Sequence, residues 1–157
     1  MAAGRPLRGS FVATPRSPLC FGVKLQKIMN QFDGPSWRIN LPPGWVGEHE
    51  EDCSLVFHPE GAGALQISSY SKEGIVTEND LRGLAQEHIE AGAKLTKSDA
   101  GDFKGFTLAL GSDNEFWQLW YVANGPTALF ITYNCQAADR DAEIESIKSM
   151  VSGLAAT

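Results

Sequence analysis

The stretch WQLWYVANGPTALFITYNC, from Trp117 to Cys135, restricts the fold of this chain more than any other segment. It reads as two strands around an Asn124-Gly125 turn, since both residues tolerate the positive φ of a type I′ hairpin loop. Successive side chains of a strand point to opposite faces of the sheet. A hairpin with one wet face would alternate apolar and polar residues, and this one is apolar on both. With a two-residue loop at Asn124-Gly125, Trp120 is expected opposite Leu129 and Phe116 opposite Tyr133. One face then holds Phe116, Gln118, Trp120, Val122, Leu129, Ile131, Tyr133 and Cys135. The other holds Trp117, Leu119, Tyr121, Ala128 and Phe130, with Thr132 and Asn134 towards the far end. A four-residue loop keeps this partition, whereas a three-residue loop breaks it.

Two apolar faces need two covers, and the sequence supplies two amphipathic helices. In VTENDLRGLAQEHIEAGA, the residues Leu81, Leu84, Ala85, His88 and Ile89 form one helical stripe. Thr77 is placed as its N-cap with Asp80 three positions on, and Gly92 is placed to stop it. DRDAEIESIKSMVSGLAAT predicts a closing helix with Ile144, Ile147, Val151 and Leu154 in one stripe. The remaining segments read as strands: Trp37, Ile39 and Leu41 alternate before Pro42-Pro43, and Leu55 with Phe57 precede a Pro/Gly break. Leu65, Ile67 and Ser69 share one face, and Phe106, Leu108 and Leu110 share another, with Gly105 allowing a bend. Strands joined by short turns are mostly antiparallel. The expected fold class is therefore α+β: a mostly antiparallel sheet of six to seven strands sandwiched between two helices, with the Trp-rich hairpin at its centre. The alternative is that the face around Trp117, Tyr121 and Phe130 stays open as a partner site.

Charge is unevenly placed. Arg5, Arg8, Arg16, Lys24 and Lys27 precede the first acid, Asp33. Removing those five from the thirteen Lys and Arg leaves eight against nineteen acids, so the remainder carries −11. Such a body repels phosphate backbones, so nucleic acid is not an expected partner, and a basic protein suits it better. Residues 1–29 have neither helical nor strand periodicity. Three readings stay open for them: a disordered basic extension, an organelle transit peptide, or a start assigned too far upstream with Met29 as initiator. Residues 30–157 are expected to form a single domain, cytoplasmic if translation starts near Met29 and organellar if the leader is a transit peptide. No run of apolar residues is long enough to span a membrane.

Signals for chemistry are sparse. Cys20, Cys53 and Cys135 form no Cys-x-x-Cys pair, and Cys135 has aromatic neighbours rather than a base, so it reads as a buried thiol. GEHEEDC, from Gly47 to Cys53, gathers carboxylates, a histidine and a thiol. On a strand Glu48, Glu50 and Asp52 would share one face, with His49, Glu51 and Cys53 on the other. Neither trio has a standard metal spacing, so a solvated acidic edge is expected. Glu48, Glu50 and Asp52 are candidates for contact with a basic partner, beside Trp117, Tyr121 and Phe130. His88 reads as a satisfied core or boundary residue of its helix rather than a base, since no acid or nucleophile is placed to partner it. EGAGAL lacks the Lys-Ser/Thr of a phosphate loop, and there is no nucleophile elbow or zinc-protease helix motif. No catalytic residue, cofactor or metal is expected.

An aromatic strand, then LPPGW (Leu41–Trp45), a run of strands, one helix, a long hairpin and a closing amphipathic helix together resemble the PsbP-like superfamily. The resemblance covers roughly residues 35–154. It implies an antiparallel sheet between helices and an accessory or binding role rather than catalysis. It carries over no functional residue: SPLC before Phe21 lacks the apolar stretch and small residue of a lipoprotein signal, and a second hydrophobic targeting stretch is missing. The expected function is a non-enzymatic accessory protein acting through a protein partner. The alternatives are an immunity-type protein capping a basic toxin, and a small-ligand carrier or minor enzyme with a pocket between helix and sheet holding His88 or Cys135.

Overall fold

The computed structural model describes residues 30–157, so the readings of residues 1–29, and Cys20 with them, lie outside the described residues. In chain order the elements are β1 (Asn30–Asp33), β2 (Trp37–Leu41), β3 (Val46–His49), β4 (Ser54–Phe57), β5 (Gly63–Ser71), α1 (Glu78–Leu84) and α2 (Gln86–Glu90). There follow β6 (Thr96–Ala100), β7 (Phe103–Gly111), β8 (Glu115–Asn124), β9 (Thr127–Gln136), a 3₁₀ turn (Ala137–Asp139), α3 (Ile144–Ser152) and β10 (Ala155–Ala156). Seven strands form one sheet in the order β3-β4-β5-β9-β8-β7-β6, and β1-β2-β10 form a second. Every pairing is antiparallel.

The hairpin β8–β9 sits in the middle of the large sheet, but its loop is one residue further on than the Asn-Gly signal implies. Asn124 pairs with Thr127, so Gly125 and Pro126 make the turn, with Gly125 at φ 58°. A loop at Asn124-Gly125 would ask Pro126 to close the ladder with an N–H that proline lacks. Gly at the first central position with Pro following suits a type II′ turn instead. Trp120 therefore faces Ile131, not Leu129, and Phe116 faces Cys135, not Tyr133. The slip is two residues, so every side chain keeps its expected face.

Each face has its own core. Trp120, Val122, Leu129, Ile131 and Tyr133 cluster with Ile147, Met150, Val151 and Leu154 at the C-terminal end. Leu119, Tyr121 and Ala128 cluster with Leu81 and Ala85 of the α1 region. One helical segment thus lies against each side, as the two-faced hairpin requires. On the first side α3 shares the cover with the small sheet, whose Trp37, Ile39 and Leu41 are buried. That second sheet is absent from the expectation of one sheet between helices. The Gly101 turn ties the chain end down. Gly101 has φ 63°, Asp102 donates its amide to the Leu154 carbonyl at 2.9 Å, and the Ala156 amide donates to Asp102 Oδ2 at 2.9 Å. Gly105 is needed for close approach rather than a bend, because a Cβ there would collide with the Tyr121 carbonyl on β8.

Three expected details are corrected. In β4 the core residue is Val56, while Leu55 and Phe57 face the other side and are half-buried, because this near-edge strand is apolar on both faces. The helix from Glu78 breaks at Ala85, where ψ is 10°, into α1 and α2, and Leu84 turns out to solvent at 49% exposure. Leu154 is buried as expected but lies beyond α3, after the Gly153 cap. The Thr77–Asp80 capping box is present, with the Asp80 amide donating to Thr77 Oγ1 at 3.2 Å and the Thr77 amide to Asp80 Oδ2 at 2.8 Å.

Two buried tyrosines give the domain an alkaline limit. Burial, followed by the charge of Glu87 and Tyr70, pushes the Tyr121 hydroxyl up from 10.0 to about 12. Burial also raises Tyr133, helped by the Cys135 thiol and by Glu143, to which its hydroxyl donates at 3.0 Å. Both folded values lie above the unfolded value, so the folded state binds more protons there. The contribution of Tyr121 is complete below about pH 10 and is lost as pH rises through about 12, and that of Tyr133, raised further, is lost at still higher pH. Tyrosinate absorbance of these two residues is expected to appear together with the loss of tertiary structure, not before it.

Candidate functional site

The second face of the large sheet is only partly roofed. Cross-strand register sets its side chains in rows. One row runs Leu55, Gln66, Thr132, Leu119, Leu108, and the next runs Phe57, Ala64, Asn134, Trp117, Leu110. A third runs Ser68, Phe130, Tyr121, Phe106. Leu81 and Ala85 pack in the cluster of Phe106 and Tyr121, and the Arg82 guanidinium lies 6.0 Å above the Phe106 ring. Towards Trp117 and Phe57 that roof ends, and Leu55, Phe57, Leu110, Trp117 and Phe130 remain half-buried.

At the boundary, below His88 of α2, the surface sinks into a cleft of about 400 Å³. Leu110, Trp117, Leu119 and Phe130 form its apolar wall. Gln66 and Ser68 of β5 and Thr132 of β9 form a polar strip along it. The Trp117 indole is fixed by donating Nε1–H to Glu115 Oε1 at 3.1 Å. Phe130 stacks on Tyr121 with ring centroids 4.8 Å apart, and Tyr121 stacks on Phe106 at 5.5 Å. This ladder holds the Phe130 ring at the cleft while Tyr121, only 3% exposed, stays behind it.

Of the expected partner residues, then, Trp117 and Phe130 meet at the cleft and Tyr121 supports them. Glu48, Glu50 and Asp52 lie elsewhere, on the β3–β4 hairpin at the sheet edge. They do not share a strand face, because β3 ends at His49 and Glu50–Cys53 is the turn, closed by the Glu50 amide donating to the Cys53 carbonyl at 2.7 Å. Glu50 and Asp52 are exposed and Glu48 half-buried. His49 is engaged in the structure: its Nδ1 is 2.8 Å from Ser54 Oγ, and its ring stacks on Phe32 at 4.6 Å. Cys53 Sγ accepts from Gln66 Nε2 at 3.1 Å. Cys135 is buried in the first core, on the side of the sheet away from the cleft, whereas His88 borders the cleft. Among the described residues no three His, Cys, Asp or Glu side chains come together as a metal cage. No helix among them is long and apolar enough to cross a membrane.

Gln66, Ser68 and Thr132 are the cleft residues that sequence reasoning did not single out. A signal exists: Gln66 and Ser68 alternate with buried Leu65 and Ile67 on β5, a polar stripe facing an otherwise apolar hairpin.

No family model and no curated protein matches the chain in sequence. Solved structures do match in shape. A Bacteroides thetaiotaomicron protein superposes with a TM-score of 0.60 at 17% identity, over 84% of this chain and 49% of that one. The chain therefore spans about half the length of the Bacteroides protein. Cyanobacterial PsbP (CyanoP) from Synechocystis superposes with a TM-score of 0.50 at 16% identity, over 89% of this chain and 98% of that one. At such identities the likeness is one of architecture, and the chain has the PsbP-like α+β fold that its element order and LPPGW segment resemble.

Proposed function

We propose that the chain is a non-enzymatic accessory protein that binds a protein partner on the unroofed half of its second sheet face, centred on Trp117 and Phe130. The observation that carries this reading is the set of half-buried apolar side chains where α1 and α2 stop covering the sheet. Half-exposed apolar side chains grouped on one face, here interleaved with Gln66, Ser68 and Thr132, are a feature of interaction sites on folded proteins. The likeness to cyanobacterial PsbP, with the accessory role that the superfamily resemblance implies, supports it. The eight basic against nineteen acidic residues after position 29 favour a basic partner, with Glu48, Glu50 and Asp52 steering the encounter.

The indole of Trp117 reports directly on this surface. Trp37, Trp45 and Trp120 are buried and Trp117 is half-buried, so acrylamide is expected to quench one component of the emission, and Trp117→Phe to remove it. Affinity capture from the native host then tests the reading. A partner retained by the wild type and lost by a folded Trp117→Ala/Phe130→Ala variant supports it, while equal retention by both overturns it. A complex that survives that variant, but dissolves with salt and with Glu48→Gln/Glu50→Gln/Asp52→Asn, would instead mark the chain as a cap for a basic toxin.

A further inference from the structure

We infer that the cleft beside His88 is a preformed site for a small uncharged aromatic molecule carrying one hydrogen-bonding group, with Thr132 as the polar contact. Its volume of about 400 Å³ falls within the roughly 300–1,000 Å³ typical of small-molecule sites. The wall is aromatic and aliphatic, from Trp117, Phe130, Leu119 and Leu110, so the body of the ligand is flat and apolar.

The polar requirement comes from Thr132. It lines the cleft and is 7% exposed, yet its hydroxyl has no hydrogen-bond partner among the described residues. Thr107, on the opposite face, shows the usual arrangement. Its hydroxyl donates to the Leu119 carbonyl at 2.6 Å and accepts from Gln118 Nε2 at 2.6 Å. A buried hydroxyl left without a partner is costly, and the rare cases point to a missing ligand or solvent contact. Ser68, across the β5–β9 ladder next to Phe130, adds a second hydroxyl with no partner among the described residues, and Gln66 adds an amide oxygen. None of the lining residues is Lys, Arg, Asp or Glu. The Glu115 carboxylate beside the wall is engaged by the Trp117 indole and His88 only borders the cleft, so a charged group entering would lose much of its hydration for little compensation. That selects against carboxylates and ammonium groups. The site goes beyond the protein-partner reading but shares Trp117 and Phe130 with it, so a docked protein would cover the cleft, and titrating the chain alone tests the cleft separately.

Three matched probes separate the elements of the proposal: 2-naphthol, naphthalene and 2-naphthoate, titrated into the full chain and followed by Trp117 emission and by amide chemical shifts. 2-Naphthol is expected to saturate at one equivalent, to bind about fivefold to tenfold more tightly than naphthalene, and to bind at least tenfold more tightly than 2-naphthoate. Thr132→Val keeps the β-branched shape and removes the hydroxyl, so it should erase the preference for 2-naphthol over naphthalene while leaving naphthalene affinity unchanged. Ser68→Ala, at a more open position, should lower that preference without touching the core. Shifts should concentrate at Gln66, Ser68, Trp117 and Thr132. The proposal is overturned by absence of saturable 2-naphthol binding, by equal binding of 2-naphthoate, by a preference that survives Thr132→Val, or by shifts centred elsewhere.

Discussion

A chain ending at Glu143 is expected to remain unfolded. The deletion removes Ile147, Met150, Val151 and Leu154, all buried against the first face of the sheet, and with them β10. At about 1.5–3 kcal/mol for each buried apolar side chain, the loss is roughly 6–12 kcal/mol, an upper estimate because unfolded chains are partly collapsed. A domain of this size is stable by only about 5–15 kcal/mol, so the deletion consumes most or all of it. Losses beyond side-chain burial point the same way. Glu143, at the N-cap position of α3, accepts from both the Gly63 amide at 2.8 Å and the Tyr133 hydroxyl at 3.0 Å, contacts that would hang from a frayed chain end in the shortened protein. Far-UV circular dichroism and a urea titration decide the matter: no cooperative transition is expected, and a two-state transition with a near wild-type midpoint would show that α3 is dispensable.

Adjacent residues of β8 should both be intolerant of truncation. Trp120→Ala is expected to cost about 3–5 kcal/mol and Leu119→Ala about 2–5 kcal/mol, because each empties a filled position in a different core. Trp120 is 4% exposed on the side of α3, and Leu119 is 3% exposed on the side of α1. In a strand with one solvated face, one member of such a neighbouring pair would change stability by less than about 0.5 kcal/mol. Denaturant midpoints of the two variants, compared at unchanged slope, give the answer.

The central layer was legible in the sequence because a strand's alternation has period two, and the pairing register shifted by two residues when the loop moved by one. Pro126 moved the turn from Asn124-Gly125 to Gly125-Pro126, yet Trp120 and Trp117 kept their opposite faces. The capping box and the Gly92 stop, with φ 93°, were legible because they are local chemistry. Phase was not legible where both faces are apolar. SLVF offers Leu55 and Phe57 or Val56 as the buried set, and only the position of β4 beside β5 chooses Val56. The small sheet left almost no trace, since β10 is two alanines recruited by β2 through pairing of Ala155 with Arg38 and Ala156 with Trp37. The cleft was half legible. Trp117 and Phe130 stand out in the hairpin, but Thr132 joins Gln66 and Ser68 only through the β5–β9 register, which links segments distant in sequence and leaves no local pattern.

The layered arrangement is tested most directly by side-chain NOEs in a methyl- and aromatic-labelled chain. Leu81 and Ala85 should give NOEs to the group formed by Leu119, Tyr121 and Ala128. Ile147 and Val151 should give theirs to the group formed by Trp120, Val122, Leu129 and Ile131, with none crossing between the groups. NOEs from Ile147 or Val151 to Leu119 or Tyr121 would put both helical segments on one side of the sheet and contradict the account.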